Sequence, residues 1–207
     1  MKIVCISDTH SKHHLLPMPE GDIILHAGDF SKRGTEEQIR DFFDWFSRLD
    51  YRYRICIAGN HDFLAEREPM KFRRLIPDNC IYLENSGTIV EGIRIWGSPI
   101  TPWFYDWAFN RHRGAEINPY WAAIPDNTQI LITHGPPSGI LDRTFRGQEV
   151  GCLDLMERVK TIQPKLHLFG HIHEAAGTVE KDGVLFANAS VLNLNYEPEN
   201  EPLVVDW

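Results

Sequence analysis

Cysteine is scarce in this 207-residue chain and scattered where it occurs, at Cys5, Cys56, Cys80 and Cys152, with no CxxC pair. Thiolate zinc sites and disulfide frameworks need clustered or regularly spaced cysteines, so these four read as reduced core thiols. Long apolar runs are missing too, since none approaches the roughly 18 residues of a membrane span. Met1 leads straight into a strand pattern without a signal-peptide layout, and the expectation is a cytoplasmic protein with no membrane partner. Positive charge is in deficit: 21 Lys and Arg against 29 Asp and Glu leave a net charge of -8. That balance argues against a broad basic surface for long nucleic acid, although bound metal ions would reverse the field locally. Repeats, low-complexity tracts and linkers are absent. With 43% hydrophobic and 24% charged residues, the composition predicts one globular domain over residues 1–207.

What is present is a series of short apolar runs that each end in polar residues. Lys2 to Ile6 runs into Ser7-Asp8-Thr9-His10, Ile23 to Ala27 into Gly28-Asp29, and Ile55 to Ala58 into Gly59-Asn60-His61-Asp62. Ile130 to Ile132 runs into Thr133-His134-Gly135, and Leu166 to Phe169 into Gly170-His171-Ile172-His173. Five strands delivering ligands to their C-terminal ends is the expectation. Between them, Thr35 starts a helix: Thr35 with Gln38 forms a capping box, and Ile39, Phe42, Phe43, Phe46 and Leu49 share one face. Pro69 to Leu75 reads as a short helix and Cys152 to Ile162 as a longer one with Leu155, Met156, Val159 and Ile162 inward. Cys80 to Leu83, Thr88 to Val90 and Ile93 to Gly97 read as short strands separated by Asn85-Ser86-Gly87 and Glu91-Gly92. Thr178 to Glu180 and Val184 to Ala187 form a hairpin over Lys181-Asp182-Gly183, and Leu203 to Val205 is a final edge strand.

Asp8, His10, Asp29, Asn60, His134, His171 and His173 combine carboxylate and amide oxygens with imidazole nitrogens. That mixture suits manganese, iron or zinc better than calcium. Seven ligands exceed one tetrahedral site, whereas two ions about 3.5–4 Å apart with one bridging carboxylate would use them all, the arrangement of in-line displacement at phosphorus. In an extended backbone residues two apart point the same way, so Asp8 with His10, and His171 with His173, are each expected to converge on one small volume.

The ordered set Asp8-x-His10, Gly28-Asp29, Gly59-Asn60-His61-Asp62, His134-Gly135 and Gly170-His171-x-His173 resembles the calcineurin-like metallophosphoesterase superfamily. Trp96-Gly97-Ser98-Pro99, Trp107-Ala108-Phe109-Asn110, Arg113-Gly114, His134-Gly135-Pro136-Pro137 and Phe169 to Glu174 resemble its metallophosphoesterase-domain (fetal-brain type) phosphodiesterases and their bacterial relatives. The resemblance implies an α/β fold of the α+β kind, a two-sheet β sandwich flanked by helices in four layers. It further implies two divalent transition-metal ions, one held by Asp8, His10, Asp29 and His173 and the other by Asp29, Asn60, His134 and His171. His61 would protonate the leaving group with Asp62 orienting it, and Asn60 and His61 would face the substrate. The reaction implied is hydrolysis of a small, nucleotide-sized phosphodiester, cyclic or linear, by metal-activated hydroxide. Two alternatives stand beside it: a phosphomonoesterase or protein phosphatase, in which Arg33 would bind substrate, and a metal-binding scaffold without catalysis.

Any one of these histidines alone would read as an ordinary core or surface residue; their joint order carries the reading. His13, His14, His26, His112 and His167 match no motif and are expected to be structural or surface residues. Trp103, Phe104, Tyr105, Trp107 and Phe109 could stack a nucleobase, but packing into the core is the expectation for them.

Overall fold

The computed structural model describes residues 1–207. Strand β1 (Lys2–Ile6) is followed by a 3₁₀ turn at His13–Leu15, β2 (Ile23–His26), helix α1 (Glu36–Phe46), β3 (Tyr53–Cys56), α2 (Phe63–Arg67), α3 (Pro69–Arg73) and β4 (Cys80–Tyr82). The hairpin of β5 (Ser86–Val90) and β6 (Ile93–Ser98) comes next, then the two-residue strands β7 (Thr101–Pro102) and β8 (Asn110–Arg111) and helix α4 (Asn118–Ala122). The last third holds β9 (Ile130–Thr133), α5 (Leu153–Ile162), β10 (Leu166–Phe169), a 3₁₀ turn at His173–Ala175, β11 (Gly177–Lys181), β12 (Val184–Asn188) and β13 (Leu203–Asp206).

These strands form two main sheets, ordered β13-β1-β2-β3-β4 and β11-β12-β10-β9-β6-β5, with β7-β8 as a small separate ribbon. Within them β1, β2 and β3 run parallel, as do β9 and β10. The five ligand-bearing strands therefore end on the same kind of edge, three in the first sheet and two in the second. An isolated parallel bridge between Ser7 and Ser190 joins the chain just after β1 to the chain just after β12.

The layering follows from where the apolar faces go. Ile3, Cys5, Ile23, Leu25, Ile55 and Ile57 of the first sheet meet Ile95, Ile130, Ile132, Leu166 and Leu168 of the second in one buried cluster. Their other faces, such as Val4, Ile6 and Ile24, lie in the larger cluster that includes Phe42, Phe43 and Phe46 of α1 and Leu155 and Val159 of α5. Strands buried on both faces read as near-continuous apolar runs, as they do here. The result is the four-layer sandwich. In α1, Ile39, Phe42, Phe43 and Phe46 are all buried, and Phe42 stacks on Phe30 with centroids 4.4 Å apart. Each such side chain is worth about 1.5–3 kcal/mol of burial.

Several boundaries differ from expectation. Thr35 Oγ1 accepts from Gln38 N at 3.3 Å, but Gln38 Oε1 accepts from Arg33 N at 2.8 Å, so only half of the expected capping box forms. Helix α1 ends at Phe46, leaving Leu49 beyond it. Cys152 caps α5, its sulfur accepting from Leu155 N. Ser86 and Gly87 lie inside β5 instead of separating strands, because β5 pairs with β6 from Ser86 onward. The short helices α2 and α4 have too few residues for a hydrophobic period to be read.

Candidate metal centre

The ligands sit on turns, and their backbone is not extended. Asp8, His10, Asp29 and His171 all have positive φ, at 56°, 41°, 55° and 70°. This overturns the expectation that strand alternation aims each pair at one point. The left-handed turns instead fan the side chains across the gap between the two sheet edges. Asp8 and His10 do come together, with His173, while His171 parts from His173 and joins Asp29 and His134. Left-handed backbone costs a non-glycine residue of order 1–3 kcal/mol, which surrounding structure must repay. Here Asp8 Oδ2 accepts from Ser190 Oγ at 2.6 Å and from His171 N at 2.9 Å, and Asp29 Oδ1 accepts from His61 N at 2.7 Å. Gly28, at φ 99°, closes the other side: a Cβ there would meet His134 Nδ1 at 2.7 Å.

Asp29 is the shared member. Its Oδ2 lies 3.4 Å from His134 Nε2, 3.7 Å from His10 Nε2 and 3.9 Å from His61 Nε2. Asn60 Oδ1 lies 2.9 Å from His134 Nε2, which places the amide in the second group. Asp8 Oδ1 lies 3.5 Å from His173 Nε2, and His10 Nε2 faces His173 Nε2 at 3.3 Å. Asp8, His10, Asp29, Asn60 and His134 are at most 3% exposed.

These residues fit a pair of divalent cations. Asp8 Oδ1 is buried with no hydrogen-bond partner, and buried carboxylate oxygens are otherwise paired or bound to metal. Two imidazole nitrogens facing each other satisfy at most one donor–acceptor pair, whereas a cation accepts lone pairs from both. The far nitrogens are tied down as metal-binding histidines require: His134 Nδ1 lies 2.9 Å from the Ala27 carbonyl and His173 Nδ1 3.1 Å from the Asn193 carbonyl.

The electrostatics agree. Burial opposes ionisation of Asp8, but the neighbouring His173, with His134 and His10, outweighs it by charge and holds the carboxyl well below its usual range. Asp29 is likewise lowered, burial being outweighed by His134 and His61. Burial depresses His134, yet Asp29 and Asp8 lift it to about 9. His173 reaches about 9 for the same reason, through Asp8 and the Asn193 carbonyl. Burial lowers His10 to about 4 and His171 to about 3. Carboxylates held ionised invite cations, and ligation of His134 and His173 would release their protons.

His61 stands at the mouth of the site. Its Nδ1 lies 2.9 Å from the Lys32 carbonyl, and its ring packs against Trp107 at a centroid distance of 4.4 Å and edge-on to His10 at 4.7 Å. Asp62 is not its orienting partner. The Asp62 carboxylate accepts from Ser31 Oγ at 2.6 Å, Ser31 N at 3.0 Å and Gly59 N at 2.8 Å, locking the loops after β2 and β3 together. Burial, with the charge of Asp29, pushes Asp62 up to about 7. Arg33 is exposed, its guanidinium forming no ion pair.

Core packing of the aromatic segment holds for Phe109, which is buried, and fails for most of the rest. Trp103 and Tyr105 are exposed, Phe104 packs on His171 at 5.3 Å, and Trp107 covers His61. Together with Arg113, Gly135 and His171, Trp103 and Phe104 line a cavity of about 380 Å³. Sequence reasoning also missed Ser190, Asn193 and Tyr196. The Tyr196 ring packs 4.8 Å from His10 and 5.4 Å from His173. These residues follow β12 in a stretch whose only sequence signal is its density of Asn.

Comparison with known proteins matches residues 1–175 to the calcineurin-like phosphoesterase family model. Human metallophosphoesterase domain-containing protein 1 is 42% identical over 99% of this chain and 70% of its own length. UPF0046 protein K07C11.7 of Caenorhabditis elegans is 34% identical over 99% of this chain and 74% of its own. The crystal structure of phosphopantetheinyl hydrolase from Mycobacterium tuberculosis shares the fold at 16% identity and TM-score 0.64, covering 94% of this chain and 90% of that one. The family binds a dinuclear divalent metal centre and acts on small phosphoesters, and candidate ligand groups stand in place here. This chain is a member of the calcineurin-like metallophosphoesterase family.

Proposed function

We propose that residues 1–207 form one catalytic domain that hydrolyses small phosphodiesters, cyclic or linear nucleotides among them, with two divalent ions of manganese, iron or zinc. In this reading Asp8, His10, Asp29 and His173 hold one ion, Asn60, His134 and His171 hold the other, and Asp29 serves both. When bound, such ions supply positive charge to the phosphoryl oxygens and acidify water to a nucleophile near neutral pH. The chain's own groups do the rest. With Nδ1 donating to the Lys32 carbonyl, the His61 ring turns Nε2 into the site, 3.9 Å from Asp29 Oδ2, where a proton on that nitrogen is placed to pass to the departing alkoxide. Asp62 acts indirectly, holding the loop that carries Asn60 and His61.

The observation that carries the diester reading is that Arg111 and Arg113, the arginines of the aromatic segment, have their guanidinium groups engaged by the protein itself, which among the arginines near the motifs leaves only the exposed Arg33 without such a partner. Arg111 is engaged by Glu66, Tyr120 and its neighbour's carbonyl, and Arg113 donates to the Val150 and Gly151 carbonyls. A phosphomonoester carries nearly two negative charges and is best held by arginine forks in addition to metal, whereas a diester carries one. An alkyl diester also has the poorer leaving group, which makes an acid at His61 valuable. Four buried thiols fit a reducing compartment such as the cytoplasm. With one manganese-loaded preparation, kcat/KM is expected to be higher on bis(p-nitrophenyl) phosphate and nucleotide diesters than on p-nitrophenyl phosphate. A clear monoester advantage would assign a phosphatase instead.

A further inference from the structure

Away from the ligand-bearing edge, the 3₁₀ turn His13–Leu15 lies against helix α1 and brings two histidines onto one carboxylate. Asp41 Oδ1 is 3.0 Å from His14 Nε2, and Asp41 Oδ2 is 3.2 Å from His13 Nε2. The His14 contact is a proper hydrogen bond. The His13 contact is not. Despite the short distance, neither ring nitrogen of His13 has a hydrogen-bond partner, and its side chain is fully buried. Its ring is clamped by Trp45 at 4.9 Å and Phe42 at 5.7 Å, and lies 4.3 Å from that of His14. A buried imidazole nitrogen beside a carboxylate, but off the line an N–H bond requires, is poorly satisfied by that carboxylate alone.

One atom could satisfy all three groups. The ligand atoms of His13, His14 and Asp41 lie within 4.8 Å of one another. Around a tetrahedral zinc, bonds of about 2.0–2.2 Å put neighbouring ligand atoms roughly 3.3 Å apart, a spacing that ligand atoms already within 4.8 Å of one another reach by a small adjustment of the exposed side chains. His13 is fixed by its aromatic neighbours, whereas His14 and Asp41 are exposed and free to adjust by a few tenths of an ångström. Glu36, Glu37 and Asp44 on the same helix line a depression with Asp41, and its one cation, Arg40, is paired with Glu36, so the remaining carboxylates leave a field that favours a cation. We propose that His13, His14 and Asp41 form a mononuclear transition-metal site of the zinc class, separate from the dinuclear centre, with water completing the coordination. Such an ion would staple the segment after β1 to α1. That segment carries Asp8 and His10 at its start, and Lys12 Nζ, at its middle, donates to the Tyr196 carbonyl beside them.

The test uses the full chain loaded with manganese to constant activity, then titrated with zinc by calorimetry. Wild type is expected to retain one more metal ion per chain after gel filtration, and its thermal midpoint is expected to rise. Asp41→Asn and His14→Gln, both at exposed positions, are each expected to weaken this event at least 10-fold while leaving hydrolysis in manganese alone unchanged. Exchange of zinc into the dinuclear centre would occur equally in all three proteins, so the difference between them reads the proposed site. Cobalt supplies a second signature, a tetrahedral visible band present in wild type and absent in Asp41→Asn. No additional ion in wild type, or an identical one in both variants, would overturn the proposal, whatever becomes of the phosphodiesterase reading.

Discussion

The floor of the site and its rim are built by opposite means. The floor consists of buried and half-buried side chains at strand ends, four of them on left-handed backbone, and several are fixed by a second hydrogen bond: Ser190 Oγ donates to Asp8, and the Ala27 carbonyl lies 2.9 Å from His134 Nδ1. The rim consists of partly exposed aromatic rings, Phe104, Trp107 and Tyr196, laid against the floor histidines with few polar ties. The floor therefore has one geometry, dictated by the closing of two sheets, while the rim can be recomposed without disturbing them. That difference predicts where a metallophosphoesterase of this kind holds its chemistry and where it holds its choice of substrate.

The sharpest way to break the comparison is at Asp29, the one carboxylate near members of both ligand groups. Asp29→Ala is expected to lose bound metal and to lower kcat/KM by more than the roughly 10–100-fold that removing an outer partner costs. Metal analysis beside kinetics checks this, and full activity with unchanged metal content would end the dinuclear reading. His61 lies between floor and rim. His61→Ala is expected to keep its metals and lose about 10²- to 10⁴-fold in kcat on alkyl diesters, with much of the loss recovered on p-nitrophenyl esters. Equal losses on both would reassign His61 to positioning. The smallest effect is expected from Trp107→Ala. If the rim selects substrate by stacking, KM for nucleotide diesters should rise about 10-fold, in keeping with the ~1–3 kcal/mol of base stacking. Under the same reading kcat and metal content should hold. A fall in kcat alone would mean that Trp107 serves only to hold the His61 ring.

Much of this was legible in the chain before folding. Apolar runs that stop at Asp8, Asp29, Asn60, His134 and His171 announce strands with ligands at their ends, because burial on both faces leaves a strand no other composition and its end no other place for polar groups. Ligand identity was legible as well, since donor chemistry belongs to the residue type. What the sequence could not carry was direction. The expectation of extended pairs failed at His171 and His173 because a positive φ at His171 is a property of the turn, sustained by the Asp8 carboxylate 163 positions away. The partnership of Asp62 with Ser31 in place of His61, the outward lie of Trp107, and the arrival of Ser190 and Tyr196 beside the first motif are likewise contacts between distant segments. Local sequence determined which groups this protein would offer, through burial and donor chemistry. Only the closing of the two sheets decided which groups would meet, because that depends on the relative placement of elements that no local pattern encodes.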